Sequence, residues 1–129
     1  MQISIVLFGN PRSKKNSMQV GRNKFTGNTF VSQSKIYKDF EKDCLVQLRE
    51  DFELYKQEPI NQPVNIQCVY YREDNRRCDL PNLINATLDI LVKGQVIADD
   101  NFKIVASLDG SRVFVDKVNP RTEILITGL

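Results

Sequence analysis

A chain of 129 residues with 41% hydrophobic and 26% charged side chains can bury a core of its own without disulfide staples. It contains no histidine, which excludes Ser-His-Asp and Cys-His catalysis, histidine-ligated metals and hydrolysis built on a histidine base. The formal net charge of +2 conceals an asymmetry: positions 1–38 carry seven basic residues and no acidic one, leaving eleven basic against sixteen acidic residues beyond them.

Residues 2–8, QISIVLF, alternate and are β-branched, which predicts a strand. The run has no basic lead-in and no small-residue cleavage site, so no signal peptide is expected. No apolar stretch approaches the roughly 20 residues that span a bilayer. Cys44, Cys68 and Cys78 are odd in number and form no Cys-x-x-Cys pair, which suits a reducing compartment. A cytoplasmic protein with one domain over residues 1–129 is expected. Residues 9–17 read as a polar, basic loop, and 20–31 as a hairpin or flap turning at Thr26-Gly27-Asn28. Ser34 is placed to cap a helix running to about residue 56, with Tyr37, Phe40, Cys44, Leu48, Phe52 and Tyr55 in one apolar stripe.

Residues 64–71 alternate as a strand, and Arg72 to Arg77 form a charged connection. A second helix is predicted over 79–93, with Asp79 at its cap, Pro81 in its first turn and Gly94 at its end. At about 100° per residue, Leu80, Leu83, Ile84, Thr87, Leu88 and Leu91 share one face, while Asn82, Asn85 and Asp89 line the opposite side. Residues 96–98 and 102–108 read as strands, Asp109-Gly110 as a turn, and 112–115 and 122–127 as further strands. These elements make an α+β fold: a mixed sheet of four or five strands with two main helices packed against it.

Asp79, Asp89, Asp99 and Asp100 gather around the second helix and the loop after it. Magnesium takes oxygen ligands and usually keeps several waters, so two or three carboxylates suffice to hold it. Such a cation orients and activates water for phosphodiester hydrolysis. Each residue also has a structural explanation: Asp79 as a cap, Asp89 as a solvated position, and Asp99-Asp100 as loop polarity.

The stretch 78-CDLPNLINATLDILVKGQVIADDNFKIV-105 resembles the signature of the RusA family of Holliday-junction resolvases. That pattern is Asp-Leu-Asp-Asn-x-x-Lys-Ala on a helix, then a further aspartate and an Asp-Asp loop. Asp79, Leu80, Asn82, Ala86, Asp89, Leu91, Asp99 and Asp100 match it. The loop 11-PRSKKNS-17 is similar to the family's early Pro-x-Ser-x-x-Asn. The resemblance implies a homodimeric, magnesium-dependent endonuclease of bacteria and prophages acting on branched DNA in recombination and repair. Manganese can substitute for magnesium, and no nucleotide cofactor or membrane partner is expected.

Carried over residue by residue, the resemblance implies catalytic roles for Asp79 and Asp100, with Asp99 as loop neighbour, and a metal set drawn from Asp79, Asn82, Asp89, Asp99 and Asp100. Arg12, Lys14, Lys15, Arg22, Lys24, Arg76 and Arg77 are the expected phosphate contacts. Two positions depart from the pattern: Pro81 stands where the family has its second aspartate, and Asn85 where it has a lysine. They leave open a catalytically impaired protein that binds branched DNA, and an interaction domain whose aspartates are only caps and loops.

Overall fold

The computed structural model describes residues 1–14 and 18–129, and of 18–21, 30–33 and Phe52 the backbone alone. In chain order the elements are β1 (Gln2–Phe8), β2 (Met18–Arg22), β3 (Thr29–Gln33), α1 (Lys35–Glu50), α2 (Phe52–Tyr55), β4 (Val64–Arg72), α3 (Leu80–Lys93), β5 (Val105–Ser107), β6 (Arg112–Val115) and β7 (Arg121–Gly128). β2 and β3 make the expected hairpin, apart from the main sheet.

The main sheet is mixed and five-stranded, and β4 is its centre. β7 lies antiparallel to β4 on one side, with β1 antiparallel beyond it. On the other side β5 runs parallel to the start of β4 and β6 parallel to its end. Alternation decides which face is buried. Val64, Ile66, Cys68, Tyr70 and Arg72 point inward from β4, joined by Ile5 and Leu7 of β1 and Thr122, Ile124 and Ile126 of β7. Against this face lie Tyr37, Cys44 and Leu48 of α1 and Leu83, Ile84, Leu88 and Leu91 of α3. Burying side chains of this size stabilises by about 1.5–3 kcal/mol each, so these contacts fix where α3 lies.

Three expected elements differ. The first long helix stops at Glu50 because Asp51 closes it: the Asp51 amide donates to Leu48 O at 3.2 Å. Asp51 Oδ1 then accepts from the amides of Glu53 and Leu54 at 3.1 and 3.3 Å, starting α2 afresh. Tyr55 consequently leaves the apolar stripe and is 77% exposed. Residues 96–98 form a single bridge, Ile60 to Ile97, in place of a strand. Residues 101–104 turn, because the amides of Ile104 and Val105 both bond to Asn101 O at 3.0 and 2.9 Å, so only 105–107 remain as strand.

Gly94 ends α3 for lack of space. Its φ is −79°, so no left-handed conformation is involved. A Cβ there would stand 2.7 Å from Leu48 Cδ1 and 3.1 Å from Ile90 O, so any other residue would force the Leu48 side chain to shift where α3 approaches α1.

One buried polar contact also joins α3 to the sheet. Thr87 Oγ1 donates to Leu83 O at 2.9 Å, which leaves the Tyr70 hydroxyl to donate to Thr87 Oγ1 at 2.7 Å. Tyr70→Phe removes that bond and lowers stability by about 1 kcal/mol. Thr87→Ala strands the phenol hydroxyl and costs about 2 kcal/mol. Denaturant unfolding with an unchanged slope measures both.

Candidate active site on the polar stripe of α3

Because α3 buries Leu83, Ile84, Thr87, Leu88 and Leu91, its helical period turns Asn82, Asn85 and Asp89 outward together. They form one wall of a cleft of about 340 Å³ lined by Lys14, Asn82, Asn85, Ala86, Asp89 and Asp100. The cleft thus joins the N-terminal basic loop, the polar stripe of α3 and the loop after it. A hollow of similar size between the ends of α1 and α3 is lined by Leu45, Leu48, Arg49 and Gly94 among others and holds no carboxylate. The greater concentration of chemically active groups therefore lies at the first cleft.

Asp79 occupies the N-cap position of α3 by backbone conformation, but its side chain makes no capping hydrogen bond. Its carbonyl receives the amides of Asn82 and Leu83 at 3.1 and 3.2 Å, so the backbone alone begins the helix. A purely capping role for the carboxylate is thereby removed. Asp79 is exposed, one turn before Asn82 along the stripe, and does not line the cleft itself.

Asp99 and Asp100 divide their work. Asp99 Oδ1 accepts the Asp100 amide at 2.8 Å, and Oδ2 accepts Asn101 Nδ2 at 2.9 Å. The bond from the Asp100 amide, then that from Asn101, hold the Asp99 carboxyl below its ordinary range. Asn101 Oδ1 accepts the Lys103 amide at 3.0 Å and completes a self-bonded turn that presents Asp100 to the cleft.

Asp89 forms an ion pair with Lys14 across the cleft. Arg12 stands 3.9 Å from Glu73, and Arg76 Nε 3.7 Å from Asp74; Glu73 and Arg76 are exposed, Arg12 and Asp74 half-buried. Arg22 Nε holds the hairpin by donating to Gly27 O at 3.2 Å, while Lys24 and Arg77 are exposed. Lys15 lies outside the described residues.

One residue escaped the sequence reading. Arg72, 9% exposed, donates from a terminal nitrogen to Arg76 O at 2.6 Å and so pins the connection leading into α3. Its buried Nε has no partner among the described residues. The signal was present, since Arg72 is the fifth inward position of a strict alternation that begins at Val64.

Among the described residues no three histidines, cysteines or acids group as a metal site. The cleft offers two carboxylates, Asp89 and Asp100, and the carboxamide oxygens of Asn82 and Asn85. These hard oxygen donors suit magnesium or manganese, which also keep waters as ligands.

The Asp99 turn makes a pH prediction. Its folded pKa is depressed, so its contribution is present above the unfolded carboxylate range and is lost as pH falls through the lower folded value. Hydrogen exchange should show the Asp100 amide protected throughout the range where ordinary carboxylates titrate. Asp99→Ala should remove that protection at neutral pH, and Asp99→Asn should keep part of it.

A family model described as Endodeoxyribonuclease RusA matches residues 9–127, and the chain belongs to that family. None of the curated proteins matches it. Membership marks the chain as an endodeoxyribonuclease and implies action on Holliday junctions. Among the described residues no helix is long and apolar enough to cross a membrane.

Proposed function

From membership of the RusA family we propose that this chain cuts four-way or related branched DNA at the cleft beside α3, with magnesium as cofactor and manganese as substitute. The supporting observation is that Lys14, the polar stripe of α3 and Asp100 meet in one cleft. Asp79 adds a carboxylate released from capping at the start of the same stripe.

Asp79 and Asp100 would hold the cation with the Asn82 carboxamide, and Asp89 is a further oxygen donor within reach of the cleft. When bound, the cation orients water, lowers its pKa and stabilises the departing oxygen. Asp99 acts as a positioning residue, since both its oxygens are engaged in fixing Asp100. Asp89 neutralises Lys14 in the free protein. A DNA phosphate entering the cleft competes for that ammonium, which frees Asp89 toward the cation.

Arg12, Lys15, Arg22, Lys24, Arg76 and Arg77 grip the phosphate backbone. The partly exposed, long pairs Arg12–Glu73 and Arg76–Asp74 are worth about 0–1 kcal/mol each, so phosphate displaces their acids at little cost. Such contacts set affinity and salt dependence more than sequence choice. A branched substrate with twofold symmetry calls for two copies of the chain, in the cytoplasm where such DNA is met.

A second reading is binding of branched DNA without cutting. It is favoured by Pro81 and Asn85, which supply neither a carboxylate nor a charge, and by Asp89 being already paired.

The test is a labelled four-way junction incubated with the protein, with and without magnesium. Paired nicks should need the cation and should fall by about 100-fold or more in Asp79→Asn and in Asp100→Asn, the order lost with a group acting at the reacting centre. Lys14→Ala should weaken junction binding and reduce the salt slope by about one. Tight binding without nicks in the parent protein would establish the second reading. Absence of junction binding at moderate salt would contradict both.

A further inference from the structure

We propose that β6 is a self-pairing edge, through which two copies of this chain join their sheets about a twofold axis at Phe114. The two-copy reading above is deepened here by naming the surface and its register.

Among the described residues β6 pairs with β4 alone, so its outer edge carries no strand. Edge strands are ordinarily blunted by charges, prolines or covering groups. The opposite edge of the sheet shows such cover. At the end of β1, Gln47 both donates to Phe8 O at 2.9 Å and accepts the Phe8 amide at 2.8 Å. Among the described residues no such group covers β6. Val113, Phe114 and Val115 are 37%, 45% and 51% exposed, and Val118 just beyond is 94% exposed.

The backbone of β6 is also oriented for pairing. The Asp116 amide donates to Arg72 O at 2.8 Å, and Arg72 stands opposite Val115 in a parallel ladder. Alternation then turns the backbone groups of Arg112, Phe114 and Asp116 toward β4 and those of Val113 and Val115 outward. The outward amides and carbonyls can close two hydrogen-bonded pairs with a second copy, on either side of a non-hydrogen-bonded Phe114 pair.

The side chains fit the same register. Read antiparallel against itself about Phe114, the sequence Arg112-Val113-Phe114-Val115-Asp116 sets Val113 against Val115 of the partner subunit and Arg112 against Asp116 of the partner subunit. Apolar meets apolar and cation meets anion, each twice by symmetry. A slip of one residue would set Arg112 against the partner's Val115 and lose the match.

The outer face at this edge is already ordered. Phe114 stacks on Tyr71 with ring centroids 5.6 Å apart, and the Arg121 guanidinium lies 3.9 Å from the Tyr71 centroid. Arg121 also donates to Asp116 at 2.9 Å, so the carboxylate that would receive the partner's Arg112 is held in place.

The test uses the full chain without DNA, so it is independent of cleavage. Sedimentation should show a dimer. Val113→Pro removes an outward amide that β4 does not use and should yield a folded monomer, with folding checked by circular dichroism. Arg112→Glu, which sets like charges opposite each other, should weaken dimerisation by at least tenfold. Under oxidation Phe114→Cys should form a covalent dimer, because its Cβ meets its own symmetry copy at bonding range, while Val113→Cys should not. A monomeric parent protein, a dimer that survives Val113→Pro, or equal cross-linking of the two cysteine variants would each overturn the proposal. A dimeric protein that fails to cut junctions would overturn the nuclease reading and leave this one standing.

Discussion

The docking of α3 on the inner face of β4 is the constraint from which the rest follows. Leu83, Ile84, Leu88 and Leu91 bury against a sheet face made by strict alternation, and the Tyr70–Thr87 hydrogen bond joins the same two elements. Four such side chains stabilise by several kcal/mol together, whereas a partly exposed ion pair such as Lys14–Asp89 contributes about 0–1 kcal/mol. The core therefore orients the helix. Asn82, Asn85 and Asp89 face the cleft because helical geometry leaves them nowhere else to point.

The loops on either side of α3 are fixed by different means. Before it, Arg72 reaches from the last inward position of β4 to the Arg76 carbonyl, so a buried guanidinium sets the path into the N-cap. After it, Asp99 and Asn101 bond the chain to itself and hold Asp100 at the cleft without help from the core. A carboxylate presented by a self-bonded turn needs little reorganisation when a cation arrives, which is the electrostatic advantage of a preformed site. The same economy explains Asp79: a helix started by backbone bonds alone leaves a carboxylate available at its N-terminal end.

Much of this was legible in the sequence, and the failures have physical reasons. Strand alternation in 64–71 and the period of α3 were plain because burial on one face writes a regular pattern. The break at Asp51 was hidden because the apolar stripe continues across it, and only the competing cap at Glu53 and Leu54 ends the helix. Residues 102–104 read as strand because Phe102 and Ile104 are apolar, yet Asn101 captures the amides of Ile104 and Val105. The Asp89–Lys14 pair was unreadable, since its members are 75 positions apart and only the fold brings them together. Asp99 and Asp100 looked equivalent as neighbours, and only the fold separates the one whose oxygens bond the turn from the one that lines the cleft.

On the nuclease reading, Asp100 and the stripe of α3 hold a divalent cation. Thermal unfolding of the protein with millimolar manganese, beside Asp100→Asn, tests this directly. A ligand that binds only the native state at about 100 times its Kd adds about 2.7 kcal/mol, a rise of roughly 10 °C in Tm for a chain of this length. The rise should appear in the parent protein and be lost in Asp100→Asn. An equal rise in both, or none in either, would contradict a cation site at this cleft.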